Sequence, residues 1–324
     1  MIDFGWIDEF NFVIARYLLV NIFCVYFLFI CLFGEIFIFV SKQNTKMKYF
    51  KLSNIFHGHS SKVTSVKFSA DASTFISSSL DSTVRIWDVA SGKEIMTLRG
   101  HSNCVYEADL STNGNMIVSG SSDCTVRLWD AKLGQEIKIL QEEESNPVQT
   151  VQFSPDGTIV ASGSCDGVIR LWCVHSGKVL KKFIGHTDDI LNVQFSPDGQ
   201  TLVSCANDAL IIIWRVKSGR KVKTLSLDDD LRKVRFSSSG RSLVVSLNMD
   251  TIQILDVKTG SVLQEMCGHQ DDIEDVRFLS DNLTILSCSA DKTIGLWDTK
   301  SGLQIQRLKG DSILTSVDIS SNGK

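Results

Sequence analysis

Short stretches in which apolar and polar residues alternate recur along most of this chain. "VTSVKFS" (63–69), "VQTVQFS" (148–154) and "ILNVQFS" (190–196) share one pattern, with β-branched residues enriched. "TFISSS" and "TLVSCA" are short apolar runs that end in small residues. "TVRIWD", "TVRLWD", "VIRLWC" and "LIIIWR" alternate again, and "KEIMTL", "KVLKKF" and "KVKTLS" supply a fourth kind of run. A period of two over four to eight residues is the mark of a half-buried strand. The breaks carry turn chemistry: "SPDG" at Ser154–Gly157 and Ser196–Gly199, and "SGK" or "SGR" after Trp-bearing runs. From Tyr49 onward no segment has a helical period of apolar residues. The pattern predicts an all-β chain built from units of four short strands.

The units have a fixed length. Trp87, Trp129, Trp172, Trp214 and Trp297 return every 41 to 43 residues, with Leu255 filling the one gap. A period of this size means an array of equal units and not one globular core. The same polar groups precede each Trp. The first unit has His59, Ser77, Asp81 and Trp87, and the second His101, Ser119, Asp123 and Trp129. The fourth has His186, Ser204, Asp208 and Trp214, and the sixth His269, Ser287, Asp291 and Trp297. The third keeps Ser162, Asp166 and Trp172 but has Glu144 where His is expected. The fifth has Leu227 at the His position and Leu255 at the Trp position, and is one residue shorter before Leu255.

From about Lys48 to Lys324 these residues resemble the WD-repeat β-propeller family; "GHSSKVTSVKFSADASTFISSSLDSTVRIWD" is a near-complete repeat. The resemblance implies four-stranded blades, each fixed by a hydrogen-bonded His–Ser–Asp–Trp tetrad. A buried Asp or His without partners is costly, whereas a satisfied network ties strands together. Ser, His and Asp are also the parts of a hydrolytic triad. A catalytic set is needed once, and this one is complete in four units, so the tetrads read as structural. The expected architecture is six complete blades plus a truncated seventh. "ILTSVDISSNGK" supplies the first strand and turn of that seventh unit, and Tyr49–Phe56 an outer strand to complete it. The half-built blade implies an open ring with exposed sheet edges.

Residues 1–46 form a separate hydrophobic segment, before a propeller domain over 47–324. Half of the eighteen Phe lie there, and "YLLVNIFCVYFLFICLFG" (17–34) carries no charge. Residues 17–40 as a helix would span about 36 Å, enough to cross a bilayer. Lys42, Lys46, Lys48 and Lys51 follow, which would leave the propeller on the cytosolic side. The segment also reads as translated AT-rich non-coding sequence, with Met47 as the natural start.

Composition narrows function by exclusion. A net charge of −4 without a long basic run disfavours nucleic acid. Nine Cys, none at CxxC spacing, suggest free thiols in a reducing compartment and no zinc site. No phosphate loop or dinucleotide fingerprint is present, so neither cofactor nor enzymatic activity is expected. Asn282-Leu-Thr matches the glycosylation pattern by chance. What remains is a non-catalytic scaffold for other proteins, possible membrane anchoring included. The alternative is an accessory recognition domain of an enzyme or ubiquitin-ligase-type assembly. In the family, residues flanking the first apolar position of each inner strand line the channel mouth. The resemblance places Lys62, Tyr106, Gln149, Asp189, Leu191, Asp230, Arg232, Asp272 and Glu274 there. The later blades add acids, so a basic peptide or loop is the expected partner.

Overall fold

The structure, a computed structural model, describes residues 27–44, 47–227, 229–247, 250–310 and 313–320. All regular structure among them is strand. Six four-stranded antiparallel meanders stand side by side, joined in sequence order from inner to outer strand. In the second, Val105–Leu110 is innermost, followed by Met116–Ser121, Val126–Asp130 and Glu136–Leu140. The other inner strands are the end of Met47–Phe68, then Val148–Phe153, Ile190–Phe195, Leu231–Phe236 and Ile273–Phe278. A seventh inner position is held by Val317–Ile319. This is the expected propeller of six full blades with the start of a seventh.

Apolar residues of facing blades make the core. Trp214 packs with Ile169, Leu171 and Phe183 of blade three and with Ile190 and Val193 of its own blade. Seven such clusters occur among the described residues, one in each gap between neighbouring inner positions. Two of them flank Val317–Ile319. One joins Leu314 and Val317 to Leu286 and Leu296 of blade six, and Phe50 enters it. The inner positions therefore close into a ring.

The hydrophobic N-terminal run departs from expectation. Over 27–40 it is not the anticipated membrane helix: Phe27–Asn44 is one strand. It pairs antiparallel with the start of Met47–Phe68 and, at Leu28–Ile30, with Val317–Ile319. Phe, Ile and Val favour strand pairing, and each of the two stretches finds one neighbouring strand for its backbone. Ile36 is fully buried against Phe56, Phe75 and Trp87. The edge expected to stay open thus carries this strand. Residues 17–26 of the anticipated span lie outside the described residues. Among the described residues no helix is long and apolar enough to cross a membrane.

Candidate functional site

The tetrads form as the recurrence implied. In blade one the Trp87 indole N–H donates to Ser77 Oγ at 2.8 Å. His59 Nε2 lies 2.7 Å from the same oxygen, and His59 Nδ1 lies 2.8 Å from Asp81 Oδ2. With the indole as donor, the Ser hydroxyl donates to Nε2 and the imidazole carries its proton on Nδ1, toward Asp81. Asp81 also accepts from the Ser60 and Thr83 backbone and from the Thr83 hydroxyl. The same bonds join His101, Ser119, Asp123 and Trp129. They recur for His186, Ser204, Asp208 and Trp214, and for His269, Ser287, Asp291 and Trp297.

These bonds set the ionisation of the network. Burial alone would raise the carboxyls of Asp81, Asp123 and Asp291. Hydrogen bonds from His, Thr and the backbone outweigh it and hold all three well below the usual carboxylate range. Burial dominates for His186 and His269, whose pKa values are lowered despite the adjacent carboxylates. Ser77, Ser119, Ser204 and Ser287 are fully buried. Each hydroxyl is engaged by an indole and an imidazole, an arrangement that braces strands and offers no exposed nucleophile.

Blade three replaces its missing His in a way the sequence did not reveal. Trp172 still donates to Ser162 at 2.8 Å. The polar partner of Asp166 is Arg170, whose guanidinium reaches Asp166 at 2.7 Å and Glu142 at 2.6 Å. Glu142 therefore takes part, two residues before Glu144, which stands at the His position of the repeat. In blade five Leu255 is fully buried in an apolar cluster, with Leu227 at its edge.

The mouth of the channel is built by a repeated bulge. Each of the six full inner strands skips one pairing after its first residue, between Val105 and Glu107 in blade two, for example. The skipped residues are Thr64, Tyr106, Gln149, Leu191, Arg232 and Glu274. A bulge re-aims its side chain, and five of these residues, Tyr106, Gln149, Leu191, Arg232 and Glu274, are among the nine singled out from the sequence; Lys62, Asp189, Asp230 and Asp272 each lie two residues before a bulged one. In blades one, four and six the residue before the bulged pair is tied to the tetrad turn: Leu80 N donates to Lys62 O, Asn207 N to Asp189 O and Ala290 N to Asp272 O. Asp188, Asp229, Asp230 and Asp271 are exposed, and Asp189, Asp272, Glu274 and Tyr106 half-buried. Arg232 lies 2.6 Å from Asp272, so part of this acidic arc is neutralised within the protein.

Deeper in the channel, two further rings link neighbouring blades. Ser65, Glu107, Thr150, Asn192 and Asp275 accept from backbone N–H groups of the next inner strand. Asp109, Gln152, Gln194 and Asp318 do the same one level further along. Where a cation stands instead, the following blade supplies an acid: Lys67 faces Asp109, Arg235 faces Asp275 and Arg277 faces Asp318. Lys233 of blade five reaches across to Glu107 of blade two at 3.7 Å, narrowing the channel at its waist. Sequence reasoning missed these rings, although their polar residues recur in register with the Trp series.

The expected chance sequon is tied up. Asn282 Nδ2 donates to Ser238 Oγ, and its Oδ1 accepts from Ser238 N. Cys104, Cys124, Cys165, Cys173, Cys205, Cys267 and Cys288 are free thiols.

The WD domain, G-beta repeat family matches this chain at residues 50–88, 92–130, 134–173, 177–215 and 260–298, more than half its length. The unmatched stretch between the last two segments holds the first three strands of blade five, which lacks both His and Trp. Mitochondrial division protein 1 of Mycosarcoma maydis is 51% identical over 41 residues. That stretch is 13% of this chain and 5% of the relative, about one blade.

Proposed function

As the chain belongs to the WD-repeat β-propeller family, we propose that it is a non-catalytic scaffold whose bulged channel mouth docks a basic segment of a partner protein. The acidic arc over blades four to six carries this reading. Asp188, Asp189, Asp229, Asp230, Asp271, Asp272 and Glu274 stand at the starts of three consecutive inner strands. A clustered negative field speeds encounter with a cationic partner and rejects an anionic one. Tyr106 offers an aromatic anchor on the same end, with Lys62 and Gln149 beside it and Leu191 within the arc. The rigid tetrads behind the loops support binding without rearrangement. The free thiols favour a reducing, cytosolic setting.

The test compares the protein with a variant carrying Asp189→Lys, Asp230→Lys and Asp272→Lys. Affinity for Lys/Arg-rich peptides, read by fluorescence anisotropy at physiological salt, is expected to fall at least tenfold with an unchanged circular dichroism spectrum. Equal affinity in both proteins would show that this face is not the docking site.

A further inference from the structure

The outer walls of the blades differ in charge. In each full blade the third and fourth strands meet at a tight turn. It lies at the end away from the mouth, because the strands of a meander alternate in direction. Over these two strands and their turn, blade three (168–184) carries four Lys or Arg and blade four (210–226) five; neither carries an Asp or Glu. The same stretch holds at least one acid in each of blades one, two, five and six. The cations form one surface. Lys181 of blade three reaches Lys217 O of blade four at 2.5 Å, and Lys223 of blade four reaches Lys258 O of blade five at 2.6 Å. Arg170 and Lys182 pair with Glu142. Lys178, Arg215, Lys217, Arg220 and Lys258 are exposed and pair with no acid among the described residues. Leu180 and Val222, 54% and 51% exposed, stand beside Lys181 and Lys221.

The turn of blade four differs from its counterparts. In blades one, two, five and six an Asp ends the third strand, and its Oδ1 accepts a turn N–H. Ser91 N donates to Asp88, Leu133 N to Asp130, Thr259 N to Asp256 and Ser301 N to Asp298, at 2.6–2.8 Å. Hydrogen bonds from the turn lower the pKa values of Asp88, Asp256 and Asp298, so the turn stabilises an anion. Blade three has Cys173 there, with Sγ 3.5 Å from Ser176 N. Blade four has Arg215, whose side chain cannot accept. Its turn (216–220) keeps the backbone bonds of the others, Arg215 N to Arg220 O and Gly219 N to Arg215 O. Ser218 N therefore stands where its counterparts meet a carboxylate, and the same turn carries Arg215, Lys217 and Arg220. Asp198, in the adjoining turn, is taken up by Ser196 Oγ and Gln200 N.

We propose that the outer wall of blades three and four docks an acidic segment of a partner protein, with one Asp or Glu carboxylate at Ser218 N beside Arg215, Lys217 and Arg220. That carboxylate takes the place that four sister blades fill from within. The remaining cations meet further acids of the segment, and Leu180 and Val222 meet its apolar side chains. Charge-assisted bonds of this kind are the stronger class, and the field of the wall steers anionic segments toward it. The acidic mouth rejects such a segment, so the two faces take partners of opposite charge.

Fluorescence anisotropy of a labelled Glu/Leu peptide against the full chain, at physiological salt, tests the site. Saturable binding is expected, and none for the Gln/Leu counterpart. Arg215→Asp restores the residue of the sister blades. It is expected to melt no lower than the parent and to weaken peptide binding about tenfold or more. Lys217→Gln combined with Arg220→Gln is expected to weaken binding similarly, and serves if the first variant fails to fold. A triple variant with Asp189→Asn, Asp230→Asn and Asp272→Asn should bind the peptide unchanged, which separates this wall from the mouth. Absence of saturation overturns the proposal, as does equal binding of the Gln/Leu peptide or undiminished binding in the folded wall variants. Tighter binding of single-stranded DNA or of phosphatidylserine vesicles than of the peptide would assign the wall to nucleic acid or a membrane instead. Self-association that the triple variant abolishes, read by analytical ultracentrifugation, would assign it to a second copy of this chain.

Discussion

At the scale of single residues, the tetrads make stability depend on pH in two steps. His186 and His269 are held neutral by burial, with pKa values below the ordinary one. The unfolded chain takes up those protons near pH ~6.5 and the folded chain does not, so stability falls as pH drops below that point. Asp81, Asp123 and Asp291 have the opposite charge and the same consequence. Their folded pKa values lie below the unfolded value of about 4, so their stabilisation is present above that pH and lost as pH falls below it. The urea midpoint is therefore expected to decline from pH 7 toward pH 5, and again, more steeply, below about pH 4. A midpoint that is flat or rising over the first window would contradict the neutral-imidazole assignment. The tetrad residues were legible from sequence because the same four residue types recur at the same spacing. The blade-three substitute was not. Arg85 and Arg127 occupy the corresponding position in blades one and two, so nothing in the sequence singles out Arg170. Only the space left by an absent imidazole lets its guanidinium close on Asp166 and Glu142.

At the scale of elements, the blades are unequal. Blade five has no tetrad, and Lys233 and Arg235 stand where other blades present acceptors to their neighbour. Its seam with blade six lacks the inner-ring acceptor bonds of the other seams and rests on apolar packing, the Arg232–Asp272 and Arg235–Asp275 contacts and the Ser238–Asn282 hydrogen bonds. Hydrogen exchange is therefore expected to open Ser242–Leu247 and Thr251–Asp256 before Met116–Ser121 and Val126–Asp130. Equal or greater protection in blade five would refute this. The weakness of this blade was visible in the sequence as missing His and Trp. The outer strands carry a feature that alternation hides. Each slips register after its Trp or Leu partner, and the skipped residues are Ile95, Ile137, Leu180, Val222, Leu263 and Ile305. All six are exposed apolar side chains, turned outward by the bulge. The N-terminal run misled for a different reason. A charge-free stretch of Phe, Ile and Leu satisfies the demands of a bilayer span and of a buried strand alike. What decides between them is the neighbouring edge, which sequence does not display.

At the scale of the whole molecule, closure depends on a few long-range bonds near Val317–Ile319. Thr315 Oγ1 donates to Val63 O at 2.6 Å, and Phe68 N donates to Asp318 Oδ2 at 2.8 Å. Asp318 also pairs with Arg277 on its other side. Asp318→Ala would strand both partners and is expected to cost about 3 kcal/mol. Asp318→Asn keeps an acceptor for Phe68 N and should cost less. Thermal unfolding of the two variants checks the order, and an alanine variant as stable as the parent would place closure elsewhere. The inner-ring bonds have one further consequence. They all point the same way around: a side chain of one blade accepts from the backbone of its successor. A typical blade therefore presents an acceptor to one neighbour and a donor to the other, so one can follow another without redesign of either. Such an array can gain or lose a member by duplication or deletion and still close. Blade five departs furthest, with the cations Lys233 and Arg235 at both levels, where blades one and six carry one each, Lys67 and Arg277. Arg235 requires an acid at the position of Asp275 in whatever comes next, so blades five and six are matched as a pair and would have to be inherited together.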